Sequence, residues 1–546
     1  MFFTSNRWPL LAALIFGGVV LSLFWYITLD DPPGEAVPAQ GGTYVEAVAR
    51  PPERVNPLFS SANETDAALV QLIFSGLVRL GPDGTPEPDL AERWEITNNG
   101  QRYLFHLRRG VAWHDGELLD ADDVVFTYRQ IADPDFAGDP SLKKLMQGVV
   151  VTARDPLTVE FELEQTYSPF LAYLTVGILP EHLLGGLSAT QLFNAPFNQQ
   201  PVGTGPYRLT EQPDGQTVRL SASSVYYFGP PFVSTMEFAI HTSVGDAAAA
   251  VRDGEADGVL LGEDAPVSDV DALRELDGVL VHDVAGAPFY QVYLNVNRAP
   301  LDDEEVRRAL QQGVDTATLI ATVGGGRGVP AVVGIPPETW AAGEIEPPPY
   351  NAGDAATDLE LAGYFRARDG IRANSAGQRL AFSLLTTDDP LRMRIADEIA
   401  RQWRFIGAAA TVEVVDAGTF LDARLGARDF DAALLLVDAG PDPDLYPLWH
   451  SSQAGPPGLN FSGFRDSRLD NALERGRQTT DSERRKDLYD LSAGYLLTAM
   501  PAIPLYHPTY AYAQSRDLVG SETPTLLTPA MRFWNAASWY VATRVE

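Results

Sequence analysis

A stretch in the first quarter of the chain, residues 88–130, limits the possible folds most strongly. Tyr103, Phe105 and Leu107 occupy alternate positions, which is the period-two pattern of a strand that buries one face. The turn-forming Asn-Asn-Gly at residues 98–100 joins this run to an earlier alternating run and predicts a β-hairpin. A hairpin with one apolar face needs further strands or a helix to cover that face.

The same stretch continues into a tight turn and then a helix. Gly116 ends the sequence Trp-His-Asp-Gly, and glycine readily supplies the positive φ that such a turn requires. Asp120 is predicted to cap the following helix, with Asp123 at the reciprocal position of a capping box. Val124 and Tyr128 then recur at helical spacing. Residues 88–130 are therefore predicted to form a hairpin followed by an amphipathic helix.

Four sequence blocks in this stretch also resemble a known family. They are Pro-Asp-Leu-Ala-Glu-Arg-Trp-Glu (88–95), Phe-His-Leu-Arg (105–108), Gly-Val-x-Trp-His-Asp-Gly (110–116) and Ala-Asp-Asp-Val-Val-Phe (121–126). In this order they resemble the signature of the family 5 extracellular solute-binding proteins, the peptide, dipeptide and nickel receptors of ABC importers. Further blocks, such as Pro-Val-Gly-Thr-Gly-Pro-Tyr at 201–207, also resemble that family.

The resemblance implies an α/β, two-lobed periplasmic-binding-protein-like fold of the large three-domain, type II variety. Lobe I would contain a small inserted domain, and lobe II would be a single insertion between two segments of lobe I. We add an N-terminal transmembrane helix. The expected limits are 1–30 for the cytoplasmic stub and anchor, 31–41 for the linker, 42–87, 201–295 and 506–546 for lobe I, 88–200 for the inserted domain and 296–505 for lobe II.

Composition excludes several classes of function. The 546 residues exceed what one hydrophobic core usually supports, so two or three domains are expected. A formal net charge of -33 would repel phosphates, so no nucleic acid partner is expected. There is no cysteine, which excludes disulfides, thiolate catalysis, cysteine-based zinc sites and a lipid-modified N-terminal cysteine.

An uncharged run at residues 8–29 predicts how the chain is attached. As a helix it would be about 33 Å long, enough to cross a bilayer. Arg7 precedes the run and two aspartates follow it, so the positive-inside rule places the folded body outside the cell membrane. The alternative is a signal peptide cleaved after Ala39, but its apolar core would be shorter than this run. We favour an uncleaved, single-pass anchor.

Two later strands are predicted to connect the lobes. The first is 290–295 and the second is 503–512, and each resembles a crossing strand of the family. The segment between them would be a second lobe attached through a two-strand hinge, which a protein that closes on its ligand needs. Asp302 is expected to cap the helix that follows the first crossing, with Glu305 at the reciprocal position.

Catalytic and metal-binding patterns are poor. The chain has no Gly-x-Ser-x-Gly and no His-Glu-x-x-His, and its seven histidines are widely spaced. Paired carboxylates such as Asp388-Asp389 stand at predicted helix starts, where they complement the helix dipole. We therefore expect neither enzyme activity nor a cofactor or metal.

The end of the apolar run 429–438 is the most informative candidate for a ligand site. Peptide-binding members of the family carry an acid four positions before the proline of an Asp-Pro or Glu-Pro pair, where it binds the peptide α-amine. Here that position is Ala439, and the acid is Asp438, one residue earlier. A one-residue slip along a strand reverses the side chain, unless a bulge restores its direction. Asp438 is either the ligand's anchor or a turn carboxylate.

Further ligand contacts are predicted beside this strand and elsewhere in the chain. Gly440 and Asp442 follow the same strand, and Asp442 is a rival to Asp438 for its role. Thr204 lies between two glycines, in a loop that either approaches the ligand or is a plain crossover. The remaining predicted ligand-binding residues are Asn56, Tyr290, Trp449 and Asn460.

These patterns predict a binding protein. The expected function is that of an extracytoplasmic substrate-binding protein, which captures a peptide or similar small solute between two lobes and delivers it to an ABC transporter permease. One alternative is a membrane-anchored sensor built on the same fold. A secreted hydrolase is the other alternative, and the missing nucleophile motifs disfavour it.

Overall fold

The computed structural model describes residues 38–210 and 215–542. The predicted membrane anchor at 8–29 lies outside these residues. Among the described residues, no helix combines the length and the apolar character needed to span a bilayer.

A mixed sheet of seven strands forms the centre of the first lobe. Gly41–Val48 runs parallel to Val233–Ile240 on one side and to Gly258–Leu261 on the other. Thr509–Ser515, from the end of the chain, pairs antiparallel with Gly258–Leu261, so distant segments build one sheet. The strand order is Val279–Ala285, Thr509–Ser515, Gly258–Leu261, Gly41–Val48, Val233–Ile240, Thr217–Ala222 and Tyr207–Leu209.

A second sheet, of six strands, forms the centre of the second lobe. Its middle strands are Phe289–Leu294 and Ala432–Val437, which pair antiparallel and are mostly buried. Because both faces of these strands are covered, their sequences are continuous apolar runs rather than alternating ones. The order is Val329–Pro330, Ala502–His507, Phe289–Leu294, Ala432–Val437, Ala381–Thr387 and Ala409–Val415.

A four-stranded antiparallel sheet stands apart within the first lobe. It contains the predicted hairpin, in which Ala91–Thr97 pairs with Arg102–Leu107, and the hairpin prediction is confirmed. The sheet order is Ala91–Thr97, Arg102–Leu107, Thr158–Glu162 and Val150–Asp155. Tyr103, Phe105 and Leu107 are buried, as their alternation predicts. The capping box of Asp120 and Asp123 at helix Ala121–Ala132 is confirmed as well.

Two short connections join the two large sheets. The chain leaves the first sheet at Val279–Ala285 and enters the second at Phe289–Leu294 through residues 286–288. It returns from Ala502–His507 to Thr509–Ser515 through Pro508 alone. The two connections touch, because Gly286 N donates a hydrogen bond of 2.9 Å to Pro508 O. Strand Phe289–Leu294 lies at the end of segment 201–295, which we predict as part of lobe I, but it pairs in the sheet of the second lobe. The domain limits stay predictions.

Three smaller β-ladders and the π-helix Thr419–Leu425 lie outside the large sheets. The ladders with at least two residues per strand are Val78–Leu80 with Pro86–Pro88, Phe365–Arg366 with Arg372–Ala373, and Leu518–Val519 with Tyr540–Val541. The α-helices are Glu64–Ile73, Ala121–Ala132, Pro140–Leu145, Glu181–Leu184, Ala189–Phe193, Val244–Arg252, Val267–Arg274, Glu304–Gln312, Thr316–Thr322, Ala352–Leu361, Pro390–Ile406, Tyr446–Trp449, Ser467–Gln478 and Ser482–Ala499.

One cap prediction is wrong. The helix Glu304–Gln312 is capped by Asp303, whose carboxylate accepts a hydrogen bond of 2.9 Å from Glu305 N. We had expected Asp302 in this position. Either of two adjacent aspartates can begin a helix, and sequence alone does not say which one has the extended backbone that a cap needs. Of the paired carboxylates Asp388-Asp389, which were expected at a helix start, Asp389 caps helix Pro390–Ile406, and this prediction is confirmed.

The lobes also touch outside the two connections. The phenolic hydroxyl of Tyr167, in the first lobe, lies 3.4 Å from Asp444 Oδ2 in the second. Trp340 N, in the second lobe, donates a hydrogen bond of 2.8 Å to Asp83 O in the first. The cleft between the lobes is therefore bridged by polar contacts as well as by the chain itself.

Candidate ligand-binding cleft

A cavity of about 780 Å³ lies between the two lobes, within the size range of small-molecule sites. The first lobe provides most of its wall, including residues of helix Glu64–Ile73 and of strand Gly41–Val48. The second lobe contributes Pro288, Asp438, Gly440 and Pro441. We call this cavity the cleft. Anything bound in it would contact both lobes.

A smaller cavity, of about 310 Å³, adjoins the cleft. We call it the side pocket. The two cavities share a set of lining residues, namely Val70, Gln71, Asp139, Thr175, Val176, Gly177, Pro441, Leu527 and Thr528. The two cavities are therefore direct neighbours in the structure.

Asp438 lines the cleft just beyond the end of a central strand. The strand Ala432–Val437 stops one residue earlier, so the alternation of the strand no longer fixes the direction of this side chain. Asp438 Oδ1 accepts a hydrogen bond of 2.8 Å from Gly440 N, and Gly440 adopts a φ of 83°. The carboxylate is thus held in a turn while it faces the cleft.

The electrostatic surroundings of Asp438 favour a positively charged neighbour. The side chain is exposed to the cleft, but the cleft walls surround it, and this desolvation raises its pKa above the ordinary value of 3.8. The carboxylate of Asp139, across the cleft in the first lobe, raises the pKa further, while the bond from Gly440 lowers it. Among the described residues, no arginine, lysine or histidine pairs with Asp438. A cationic ligand would relieve this unfavourable environment.

The two residues after Asp438 differ in whether they line the cleft. Gly440 lines the cleft, and a Cβ added to it would lie 3.1 Å from Tyr173 Oη. Ala439 is half-buried and does not line either cavity. Of this predicted group, the structure therefore brings Asp438 and Gly440 to the cleft and leaves Ala439 beside it.

Asp442, the predicted rival of Asp438, points into the second lobe. Its Oδ1 lies 2.6 Å from Arg485 Nη2 and 3.3 Å from Tyr489 Oη, and the side chain is buried. Asp444 makes a similar pair, 2.6 Å from Arg477 Nη2. Neither carboxylate lines the cleft. The contacts of Asp442 with Arg485 and Tyr489 thus anchor helix Ser482–Ala499.

Trp449 and Asn460 are also placed in the interior of the second lobe. Trp449 is buried against Tyr293, with ring centroids 5.5 Å apart. Asn460 is fully buried and donates from Nδ2 to Trp449 O at 3.1 Å. Both residues organise the segment that follows the ligand-facing loop, but neither lines the cleft.

The three remaining predicted residues are likewise buried away from the cleft. Asn56 Nδ2 donates to Asn198 Oδ1 at 2.9 Å, which ties two first-lobe segments together. Thr204 is buried in its loop, and Tyr290 donates from its hydroxyl to Glu263 Oε1 at 2.8 Å, across the connection between the lobes. The plain crossover interpretation of the Thr204 loop fits its position.

Sequence reasoning missed a charged group in the wall of the cleft. Arg532 Nε lies 2.8 Å from Glu46 Oε1, and both side chains are buried. Arg532 also lines the cleft, together with Glu64, whose Oε1 is 3.4 Å from Arg532 Nη1. Burial lowers the pKa of Arg532 and the Glu46 carboxylate raises it, with a net upward shift, so the guanidinium stays charged. The partners lie far apart in sequence, and no local motif marks them.

The charged residues around the cleft are mostly acidic. The acids are Glu64, Asp139, Asp264 and Asp438, and the bases are Arg50 and Arg532. Because the charge of Arg532 is already neutralised by Glu46, the acidic residues give the cleft a negative electrostatic potential. The arrangement suits a ligand that carries at least one positive charge. No group of three or more histidine, aspartate or glutamate side chains suited to holding a metal occurs in the described parts of the chain.

Comparison with known proteins agrees with the architecture and the cleft. Residues 85–456 match the model of the bacterial extracellular solute-binding proteins, family 5. The oligopeptide-binding protein AppA of Bacillus subtilis is 26% identical over 515 residues, which is 92% of each chain. Protein XP55 of Streptomyces lividans is 30% identical over 449 residues, 82% of this chain and 80% of that one.

Solved structures match as well. The structure of NikZ from Campylobacter jejuni with Ni(L-His) is 28% identical and has a TM-score of 0.70, covering 91% of this chain and 99% of that chain. The structure of Bacillus subtilis AppA with a nonapeptide has a TM-score of 0.69. The seven-stranded and six-stranded sheets joined by two short connections, with a cleft between them, are thus the architecture of solute receptors. This chain belongs to the family 5 bacterial extracellular solute-binding proteins.

Proposed function

We propose that this chain is the substrate-binding protein of an ABC importer, which takes up a peptide or a similar small cationic solute in the cleft and delivers it to the permease. The observation that carries the ligand class is the carboxylate of Asp438, which faces the cleft with no cationic partner among the described residues. Its relatives include an oligopeptide-binding protein of Bacillus subtilis and a dipeptide-binding protein of Escherichia coli.

Binding would work by closure of the lobes around the solute. Asp438 and Gly440 come from the second lobe, while Glu64 and Asp139 come from the first. A ligand that contacts both groups stabilises the closed form by its differential affinity for that form. The two adjacent connections, at 286–288 and Pro508, leave few backbone torsions to change during this movement.

Asp438 would bind the ammonium group of the solute. One of its oxygens already accepts the hydrogen bond from Gly440 N, which fixes the orientation of the carboxylate. The other oxygen is available for the ligand. The turn role and the ligand role are therefore compatible, and a preoriented carboxylate loses little side-chain entropy on binding.

The importer assignment includes a membrane attachment. Residues 8–29 carry no charge and are long enough to span a bilayer as a helix, and Arg7 before them favours a cytoplasmic N-terminus. We propose that this segment tethers the body to the outer side of the cell membrane, beside the permease. Membrane-fraction protein with an intact N-terminus would support the tether. Soluble protein that begins at Gln40 would contradict it.

The function is tested by identifying the solute. Native mass spectrometry of the full chain, purified gently in detergent, would show a retained ligand, and calorimetry with a tripeptide library would measure affinity directly. We expect binding of peptides with a free α-amine to weaken by about ten- to a hundredfold after N-acetylation, because acetylation removes the charge that Asp438 would recognise. Equal binding of acetylated peptides would refute the ammonium site, and hydrolysis of the library would point to an enzyme instead.

A further inference from the structure

The side pocket is a separate compartment that adjoins the cleft. Its volume of about 310 Å³ lies at the lower end of ligand-site sizes. Val70 and Leu527 belong to the walls of both cavities, whereas Phe74 and Leu142 line the side pocket alone. The side pocket is therefore an immediate neighbour of the ligand site.

The chemistry of the side pocket is mainly apolar. Val78, Leu142 and Met531 contribute aliphatic or thioether groups to its walls, and Phe74 contributes a ring. Its charged residues already have partners within the protein. Arg79 Nη2 lies 3.1 Å from Glu87 Oε2.

The carboxylate of Asp89 in the side pocket accepts a hydrogen bond from the hydroxyl of Tyr227. Asp139, the third charged residue of the lining, accepts a hydrogen bond of 2.7 Å from Ser141 N. Because all three charged residues are engaged, they leave little reason for a polar ligand group to enter. An apolar group gains free energy by leaving water for such a pocket.

The mouth of the side pocket lies next to the negative charge of the cleft. Asp139 lines both cavities, and so does Pro441, which is three residues after Asp438. Asp139 and Asp438 both line the cleft, one from each lobe, and the charge of Asp139 contributes to the raised pKa of Asp438. An ammonium held there would stand at the entrance to the apolar compartment.

We propose that the side pocket binds the apolar side chain of the ligand's amino-terminal residue. The solute would then carry its ammonium and a bulky aromatic or branched aliphatic group on the same or adjacent atoms, as a peptide that begins with phenylalanine or leucine does. This inference rests on the proposed function, because it assumes that the ammonium binds at Asp438. It adds a selection by shape and hydrophobicity to the selection by charge.

The test compares three tripeptides on the full chain in detergent: Ala-Ala-Ala, Phe-Ala-Ala and Ala-Ala-Phe. Burial of the phenylalanine ring should make Phe-Ala-Ala bind about ten- to a hundredfold more tightly than Ala-Ala-Ala. Moving the ring to the third residue should remove most of that gain. Calorimetry or competition against a fluorescent peptide gives the dissociation constants.

Two variants of matched chemistry assign the gain to this pocket. Leu142→Trp fills the side pocket, whereas Leu260→Trp makes the same change at a half-buried leucine that lines only the cleft. We expect Leu142→Trp to reduce the preference for Phe-Ala-Ala to nearly none and Leu260→Trp to leave the ratio unchanged. Should Leu142→Trp fail to fold, Leu142→Ala enlarges the pocket and should favour Trp-Ala-Ala over Phe-Ala-Ala.

The outcomes separate this inference from the proposed function. If all three peptides bind equally, or if Leu142→Trp leaves the preference intact, the side pocket has no such role although the receptor assignment stands. If no peptide binds, the proposed peptide ligand fails. The solute found by native mass spectrometry then decides, because a ligand with no bulky apolar group would overturn the inference and an aromatic cationic amine would uphold it.

Discussion

Two aspartates four residues apart in the same loop have opposite environments. Asp438 faces the cleft, and among the described residues its carboxylate is hydrogen-bonded only to Gly440 N. Asp442 is buried and paired with Arg485 at 2.6 Å. The charge is thus left unbalanced where solute can reach it and is neutralised where solute cannot.

Within this short segment, Asp442 contributes to folding and Asp438 is placed to contribute to binding. A buried carboxylate that already has an arginine needs nothing further, and its loss would leave the arginine without a counter-ion. A carboxylate in an open cleft contributes little to folding, because its charged form is disfavoured there. Substitutions at the two sites should therefore affect different measurements.

The largest expected effect is on stability, at Asp442. Asp442→Ala should lower the free energy of unfolding by about 3 to 5 kcal/mol, because Arg485 would be left buried and unpaired. Denaturant or thermal unfolding measures the change. Replacing the pair together, as Asp442→Leu with Arg485→Met, should recover much of the loss. A single variant as stable as the wild type would remove the distinction between the two aspartates.

The second effect is on affinity, at Asp438. Asp438→Ala should weaken the binding of a peptide with a free α-amine by about ten- to a hundredfold, the effect of losing a charge-assisted hydrogen bond of about 1.5 to 3 kcal/mol. Its unfolding free energy should stay close to that of the wild type. Calorimetry alongside denaturation separates the two quantities. Unchanged affinity would exclude Asp438 from the site.

The two aspartates also show what sequence alone can predict. Local patterns predicted the hairpin at residues 91–107 and the cap Asp389, because alternation and capping act between near neighbours in the chain. They also led to Asp438, through the end of an apolar strand. The same patterns did not separate Asp438 from Asp442, since the decisive partner, Arg485, lies on a helix 43 residues further on.

The same limit applies to the rest of the site. Asn56, Trp449 and Asn460 were predicted as ligand contacts, and in the structure their side chains hold segments of the lobes together. The cleft residues Asp139 and Arg532 lie in segments with no binding motif, and tertiary packing brings them to the cleft. The ligand contacts stay predictions, because packing between distant segments decides which side chains reach the cleft.

A third and smaller effect is expected at Tyr167, where the first lobe contacts the Asp444–Arg477 pair of the second lobe. Tyr167, in the first lobe, makes a hydrogen bond of 3.4 Å to Asp444, which is paired with Arg477. Tyr167→Phe should shift the balance towards the open form by about 0.5 to 1.5 kcal/mol, with a matching loss of ligand affinity. Small-angle scattering without ligand should show a larger radius than for the wild type. Tyr207→Phe, which removes a hydrogen bond of 3.2 Å to Val233 O within the first lobe, is the control. An unchanged radius in Tyr167→Phe would contradict a closing role for Tyr167.

The smallest effect is the dependence of binding on pH, and it depends on the direction of one pKa shift. Burial in the cleft and the charge of Asp139 raise the pKa of Asp438 above 3.8, so in the free protein this carboxylate takes up a proton at a higher pH than an ordinary aspartate. A bound ammonium favours the ionised form, so affinity is fully present above the pKa of the free protein and is lost as the pH falls through it. The same raised pKa makes the folded state bind more protons than the unfolded state. Protonation of Asp438 therefore adds stability on acidification while it weakens ligand binding.

Calorimetry of Phe-Ala-Ala from pH 7 downwards should show affinity falling before the protein unfolds, and Asp438→Asn should bind weakly with little dependence on pH. If Asp438→Asn keeps the pH profile of the wild type, the titrating group lies elsewhere in the cleft, with Asp139 and Glu64 as the acids to test next.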